Sequence, residues 1–121
     1  RCKKPYLEDI DINSKILPVC PLCGGKIRPS VVWFGEQLPQ NTLFEAEKAT
    51  EECQVFLSIG TSTEVYPAAA LPYIAKNNGA VVIEINPRMT SFSNEASFVL
   101  NGTAATVLPE LVKSIAGKKN K

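Results

Sequence analysis

The most distinctive local motif is a pair of cysteines separated by two residues and followed by two glycines. The sequence CPLCGG occupies residues 20–25, with the thiols on Cys20 and Cys23. A turn of this kind lets two thiolates reach one zinc ion while backbone N–H groups point at the sulfur atoms. A redox CxxC motif would open a helix directly after a strand, whereas a proline-rich loop precedes this one and glycines follow it. The motif therefore favours a structural zinc site.

A tetrahedral zinc site needs four ligands, and Cys2 is the plausible third ligand in this sequence. The remaining cysteine, Cys53, falls at the end of a predicted helix and is expected to pack in the core. Either a water molecule or a carboxylate completes the site, or a fourth cysteine precedes Arg1. The second alternative would mean that the sequence is truncated, which is what we expect.

Histidine does not occur among the 121 residues of the sequence, and the net charge is only +1. Without imidazole, this chain by itself excludes Ser-His-Asp and Cys-His hydrolases, HExxH peptidases and His-ligated metals. The near-neutral charge argues against a nucleic-acid partner bound through a broad basic face. The basic residues at 117–121 are predicted to form a frayed C-terminus.

Polar residues follow two apolar runs that read as strands. Gly60, Thr61 and Ser62 follow the first run, and Asn86 follows the second. Ligands of open parallel sheets bind at the carboxyl ends of strands, where glycine permits close backbone approach and hydroxyls can bond phosphate or ribose. An ordinary strand-to-helix turn and a turn begun by Asn86 and Pro87 are the alternatives. The GxGxxG fingerprint of dinucleotide-binding sheets does not occur in the sequence.

The elements that must position these residues alternate between short apolar runs and helical patterns from residue 28 onward. This alternation predicts an α/β fold with a parallel sheet. The predicted strands are residues 31–34, 55–59, 80–85 and 97–100. The strand at 55–59 is predicted to be buried. Residues 1–27 show little periodicity. They are predicted to form a small, loop-rich module that needs a cross-link to stabilise it.

Three helices are predicted between and after these strands, at residues 41–53, 67–77 and 109–116. Thr42 and Glu45 have the spacing of a capping box at the start of the first helix. The second helix is predicted to end at an Asn pair before Gly79. The third is predicted to end at Gly117 and to face inward with Leu111, Val112 and Ile115.

No apolar run reaches the roughly 18 residues that span a bilayer, and the N-terminus has no hydrophobic stretch typical of a signal peptide. We therefore expect an intracellular, cytoplasmic protein without a membrane partner. The closely spaced cysteines fit that expectation, because they do not read as a secreted disulfide framework.

Five motifs in order resemble the C-terminal half of a sirtuin, an NAD-dependent protein-lysine deacylase. They are CPLCGG at 20–25, RPSVVWFGE at 28–36, a strand ending in GTS at 60–62, VYPAAALP at 65–72 and a strand ending in IN at 85–86. The resemblance covers essentially the whole sequence and is greatest to the bacterial, archaeal and mitochondrial-type deacylases. It implies part of a small zinc-binding module over residues 1–27 and the C-terminal part of a Rossmann-like NAD-binding domain over residues 28–121.

The resemblance also implies roles for individual residues. Three of four structural zinc ligands would be Cys2, Cys20 and Cys23. NAD would be contacted by Gly60, Thr61, Ser62, Asn86, Pro87, Arg88 and Ala104. Gly60, Thr61 and Ser62 would lie at its phosphate and nicotinamide-ribose region, Asn86 at the adenosine ribose and the backbone near Ala104 at the adenine. The acyl-lysine tunnel and peptide cleft would be bordered by Val32, Phe34, Gly35 and Glu36, while Val65 and Tyr66 would pair with the substrate peptide by strand addition.

By the same resemblance, the activity consumes NAD and releases nicotinamide and O-acyl-ADP-ribose, with an acyl-lysine protein or peptide as substrate. The catalytic histidine and the glycine-rich phosphate loop belong to the N-terminal half of such enzymes, so the general base is expected upstream of Arg1. This chain alone is therefore expected to be inactive. A non-catalytic module that binds zinc and nucleotide is the alternative. A nucleic-acid zinc ribbon and a hydride-transferring oxidoreductase fit the sequence less well.

Overall fold

The computed structural model of the protein describes residues 1–2 and 4–118. These residues fall into two compact units, Arg1–Gln37 and Leu38–Lys121. Residues 28–37 thus belong to the first compact unit, and the functional division after residue 27 stays a prediction. The end of the basic tail that was expected to fray, residues 119–121, lies outside the described residues.

A parallel three-stranded sheet forms the centre of the second unit. Its strands are β1 (Val55–Ile59), β2 (Val81–Asn86) and β3 (Phe98–Asn101), in the order β1-β2-β3. Every pairing is parallel, with Val55 opposite Val81 and Ile85 opposite Leu100. The sequence-based prediction of a parallel α/β fold is confirmed, and so are three strands, each within one residue at either end.

The fourth predicted strand, at residues 31–34, is wrong. The described part of the first unit contains only an isolated antiparallel bridge between Val19 and Lys26. Residues 33–36 form a turn in which the Glu36 N–H donates to the Trp33 carbonyl at 3.0 Å and the Trp33 N–H donates to the Glu36 carboxylate at 3.1 Å. These local bonds occupy the backbone groups that a strand would offer to a neighbour.

Helix α1 spans Gln40–Glu52 and follows the predicted helix closely. It begins after Pro39, which has no side chain that could cap it. Thr42 and Glu45 therefore lie inside the helix, and the predicted capping box is wrong. The second predicted helix is confirmed in two parts, a 3₁₀ turn at Ala68–Ala70 and α2 at Leu71–Asn77.

Gly79 completes the end of α2, with a φ of +86°. Asn78, by contrast, has a φ of −90° and donates its N–H to the Ile74 carbonyl. The left-handed residue is thus the glycine, in which a positive φ meets no Cβ penalty, and not a member of the Asn pair.

Helix α3 spans Ala104–Lys118, so it begins earlier than predicted and contains both Pro109 and Gly117. At its start, the N–H groups of Thr106 and Val107 both donate to the Thr103 carbonyl, at 3.0 and 2.9 Å. The residues just after Thr103 include no helix breaker, so the helix begins there and Pro109 lies within it. Among the described helices, none has the length and apolar character that a membrane crossing requires.

The inward orientation predicted for the end of α3 is also wrong for two residues. Val112 and Ile115 are 61% and 56% exposed, while Leu111 is half-buried. Helix α3 contacts β2, and its half-buried apolar residues lie toward its first half, with Val107 among them. The second half of its apolar face therefore has no cover within the described chain.

The core of the second unit lies between α2 and the sheet. Val82 of β2, Ala75 of α2 and Phe92 in the loop after β2 are fully buried. The ring of Phe92 meets Tyr73 edge to face, with the ring centroids 4.7 Å apart. Cys53 packs against this cluster and is half-buried, and its thiol donates to the Thr50 carbonyl at 3.2 Å.

Strand β1 is buried on only one face, although the sequence predicted a buried strand. Phe56 packs against the core cluster and Ser58 is 4% exposed, whereas Val55, Leu57 and Ile59 are exposed. Successive side chains of a strand point to opposite faces. Helix α2 covers one of these faces, so alternate residues of β1 stay open to solvent.

Candidate functional site

Three thiols come together in the first unit. The Sγ atoms of Cys2, Cys20 and Cys23 all lie within 4.8 Å of one another, and those of Cys2 and Cys20 are 4.0 Å apart. Zinc–sulfur bonds of 2.3 Å in a tetrahedron place sulfur atoms about 3.8 Å apart. The cluster therefore has the size and chemistry that a thiolate zinc site requires, and zinc binding stays a prediction.

The backbone of the CPLCGG turn forms this cluster. The Cys20 N–H donates to the Gly25 carbonyl and the Gly24 N–H donates to the Cys20 carbonyl, both at 2.8 Å. Gly24 has a φ of +65°, which a glycine adopts without strain. A Cβ on Gly25 would lie 2.7 Å from the backbone nitrogen of Arg1. Glycine at this position thus lets the segment that carries Cys2 approach the turn.

Cys23 is poised to act as a thiolate. The Gly25 N–H, followed by the backbone N–H and thiol of Cys2, lowers the pKa of Cys23 to about 6. Thiolates are the form in which cysteine binds zinc. Among the residues that the structure describes, no further Cys, Asp or Glu joins the three thiols.

Within the first unit, the side chain of Glu36 stabilises the turn at residues 33–36. Its carboxylate lies 3.1 Å from the Arg28 guanidinium and accepts the Trp33 N–H. That N–H, with the Arg28 charge as a further cause, lowers the pKa of Glu36. The neighbouring predicted cleft residues Val32 and Phe34 are 45% and 93% exposed, and Gly35 has a φ of +87°. Their role at a peptide cleft stays a prediction.

In the second unit, the predicted nucleotide residues meet at the carboxyl edge of the sheet. The Asn86 side-chain amide donates to the Thr61 carbonyl at 2.8 Å, and its oxygen accepts the Arg88 N–H at 3.1 Å. Gly60 has a φ of +63° and donates its N–H to the Ile85 carbonyl at 2.9 Å. The turn after β1 and the end of β2 are therefore joined through one amide side chain.

This arrangement leaves hydrogen-bonding capacity for a ligand. An Asn side chain has two N–H donors and an oxygen with two lone pairs, and Asn86 uses one of each within the chain. Thr61 and Ser62 are exposed, and both carry hydroxyls. Thr63, with a φ of 58°, is buried, and its hydroxyl has no partner among the described residues.

The start of α3 joins the same edge. The Gly102 N–H donates to the Asn86 carbonyl at 3.2 Å, and Ala104 is the first residue of the helix. A Cβ on Gly102 would lie 2.7 Å from Cγ2 of Val107, so this glycine permits the close turn into the helix. The contact of Ala104 with adenine stays a prediction, as does that of the exposed Pro87 and Arg88 with NAD.

Val65 and Tyr66 lie in the exposed segment between β1 and the 3₁₀ turn, with 54% and 72% of their surface accessible. The Val65 carbonyl accepts the Ala69 N–H at 3.0 Å. Both side chains are open to solvent, and their pairing with a peptide backbone stays a prediction.

Sequence reasoning assigned no role to Glu84, Thr90 and Ser93. Glu84 is fully buried in β2, and its carboxylate accepts hydrogen bonds from the hydroxyls of Thr90 and Ser93. The signal was present in the sequence, because an acidic residue interrupts an otherwise apolar run in VVIEIN.

Comparison with known proteins points to one family. A family model described as the Sir2 family matches residues 1–67. An NAD-dependent protein deacylase from Pyrococcus furiosus is 45% identical over 116 residues, which cover 93% of this chain and 46% of that protein. The chain spans about half the length of the curated relatives it matches.

Two solved structures extend the similarity to the fold. A Sir2 homolog in complex with NAD is similar at a TM-score of 0.81 and 43% identity, over 86% of this chain and 41% of that one. A Sir2–p53 peptide–NAD⁺ complex is similar at a TM-score of 0.75 and 32% identity, over 83% of this chain and 42% of that one.

Proposed function

Because the chain belongs to the Sir2 family, we propose that it forms the C-terminal part of an NAD-dependent protein-lysine deacylase. The observation that carries the proposal is the junction of Thr61, Asn86 and Arg88 at the carboxyl edge of a parallel sheet. Such edges are where dinucleotides bind in Rossmann-like folds. The named relative is a deacylase, and the similar Sir2 homolog was solved with NAD.

In this proposal the sheet edge binds NAD, with Asn86 at the adenosine ribose and the turn after β1 at the phosphate and nicotinamide-ribose region. Asn86 offers its free N–H and lone pair to the ribose, Thr61 and Ser62 offer hydroxyls, and Gly60 lets the backbone approach closely. When bound, NAD supplies the ribose carbon that accepts the acyl group as nicotinamide leaves. The residues of this chain bind and orient that co-substrate.

We propose that the peptide substrate uses two exposed segments. Val65 and Tyr66 are exposed and would pair with the peptide by strand addition, a binding mode in which main-chain hydrogen bonds give affinity with little sequence selectivity. Val32, Phe34, Gly35 and Glu36 border the tunnel for the neutral acyl-lysine. The peptide complex of a similar Sir2 protein supports this class of substrate.

The general base of the proposed reaction comes from outside this sequence, which contains no histidine. The cysteine cluster is proposed to hold zinc in a structural role, because an all-cysteine ligand set is typical of structural zinc sites. An intracellular location belongs to the same proposal, since thiolate zinc sites persist where thiols are kept reduced.

A single assay tests this function. The intact protein, given NAD and an acetyl-lysine peptide, is expected to release nicotinamide and deacylated peptide in equal amounts. The 121-residue chain alone is expected to release neither, since it lacks a general base. Absence of nicotinamide release by the intact protein would rule the proposal out and, with zinc and nucleotide still bound, would favour a non-catalytic binding module.

Replacing Asn86 by Ala is expected to weaken NAD binding by about tenfold, which corresponds to one lost hydrogen bond and a loosened Thr61 loop. Calorimetric titration of the intact protein with NAD measures the change. Asn78→Ala is the matched control, because the Asn78 amide also donates to one backbone carbonyl, that of Ile74, at 2.9 Å. Equal NAD affinity in the two variants would contradict the role of Asn86.

A further inference from the structure

A carboxylate lies in the most buried strand of the sheet. Glu84 of β2 is 0% exposed, as are Val82 and Ile85 on the same strand. Among the ion pairs of the described residues, none includes Glu84. A buried charge without a partner is costly unless hydrogen bonds satisfy it, and an aliphatic side chain would pack here without that cost.

Two hydroxyls satisfy the carboxylate, one on each oxygen. Thr90 donates to Oε1 of Glu84, and Ser93 donates to Oε2. The same hydroxyls also serve the loop backbone, since the Thr90 N–H donates to Ser93 Oγ at 2.8 Å and the Phe92 N–H donates to Thr90 Oγ1 at 3.1 Å. Glu84 therefore fixes the conformation of residues 90–93 through their two hydroxyl side chains.

The loop that contains residues 90–93 begins at the proposed nucleotide site and returns to β2, the strand that carries Glu84. Glu84 and Asn86 are two residues apart on β2, so their side chains lie on the same face of the sheet. The chain leaves β2 at Asn86 and comes back to Glu84 at Thr90. The intervening residues include Arg88, whose N–H is held by Asn86.

The loop also reaches the turn after β1. Ser91 donates its hydroxyl to the Thr63 carbonyl at 3.3 Å, next to the contact between Asn86 and Thr61. Movement of residues 90–93 would therefore disturb both Asn86 and the turn after β1 in the proposed NAD site.

We propose that Glu84 is a positioning residue for NAD: through Thr90 and Ser93 it holds the loop that orients Asn86, Arg88 and the turn after β1. This inference rests on the proposed function. Glu84 itself is buried and acts only through the residues it holds.

Steady-state kinetics of the intact protein with varied NAD test the proposal. Thr90→Val keeps the shape of the side chain but removes the hydroxyl, and Glu84→Gln keeps the volume but replaces one acceptor oxygen by a donor. Both variants are expected to raise the KM for NAD about tenfold and to leave kcat within about twofold, the pattern of lost uniform binding. Thr90→Ser retains the hydroxyl and is expected to restore the wild-type KM.

Glu95→Gln is the matched control, because Glu95 is an exposed carboxylate after the same loop and pairs with Lys76. Its KM for NAD is expected to match that of the wild type. A fall in kcat with an unchanged KM in Thr90→Val, or failure of Thr90→Ser to restore the KM, would reduce Glu84 to a structural role and overturn the inference.

The outcomes separate the two proposals. A wild-type protein without NAD-dependent deacylation removes the proposed function, and the inference with it. An active wild-type protein whose Thr90→Val and Glu84→Gln variants keep the normal KM removes the inference alone. If Glu84→Gln does not fold, Thr90→Val and Ser93→Ala still decide, since each removes one of the two hydroxyls.

Discussion

Replacing Cys23 by Ala is expected to release zinc and to unfold the first compact unit, residues 1–37. The described residues of this unit form only an isolated β-bridge, and the apolar side chains at Ile12, Ile16 and Leu22 are 78–90% exposed. It therefore has little core to replace a lost metal ion. Structural zinc contributes about 10–16 kcal/mol in small metal-binding domains, and that binding energy is folding energy.

Metal analysis of the purified variant measures the loss of zinc, and hydrogen exchange of residues 1–37 measures the unfolding. Cys53→Ala is the matched control, because Cys53 lies in the second unit and packs against the apolar cluster there. It is expected to retain a full complement of zinc. Zinc that stays bound at the wild-type ratio in Cys23→Ala would refute the thiolate site.

Phe92→Ala is expected to destabilise the second unit by about 3–5 kcal/mol, the usual cost of removing a fully buried aromatic side chain. Phe92 fills the space between α2 and β2 and meets the ring of Tyr73 edge to face. It also lies in the loop of residues 90–93, whose backbone N–H groups donate to the hydroxyls of Thr90 and Ser93. The substitution thus opens a cavity and loosens the loop at once.

Chemical denaturation followed by circular dichroism gives the free energy of unfolding. The control is Phe44→Ala in α1, where the ring is 67% exposed and its loss is expected to change stability by less than about 0.5 kcal/mol. If the two alanine variants have the same unfolding midpoint, the assignment of Phe92 to the core is wrong.

The strands at 55–59, 80–85 and 97–100 were predictable because each is a short apolar run closed by polar or glycine residues. The run at 31–34 has a similar composition but forms a turn. Its backbone is engaged locally, by Glu36, and the described residues of its unit offer no strand to pair with. Composition reports what a strand can contain, whereas a strand exists only with a neighbour.

An apolar residue is buried only where another element covers it, and the sequence pattern does not report which residues are covered. Val82 and Val55 belong to equally apolar runs, yet Val82 is fully buried and Val55 is 55% exposed. The difference is the face of the sheet. Val82 lies with Phe56 on the face that packs in the core cluster, whereas Val55 lies on the other face opposite Val81, which is exposed as well. The end of α3 shows the same effect at Val112 and Ile115.

The sequence by itself determined the chemistry at each local site: two thiols in one turn, a glycine and hydroxyls after β1, and an amide after β2. These features depend on neighbouring residues and on strand direction, which local patterns report. The sequence also offered Cys2 as the third thiol, and the structure brings it to the other two. Only the tertiary structure decided that Asn86 bonds Thr61 and that Glu84 holds Thr90 and Ser93. Contacts between residues far apart in sequence, and the burial that makes a carboxylate depend on two hydroxyls, arise only when the chain is folded.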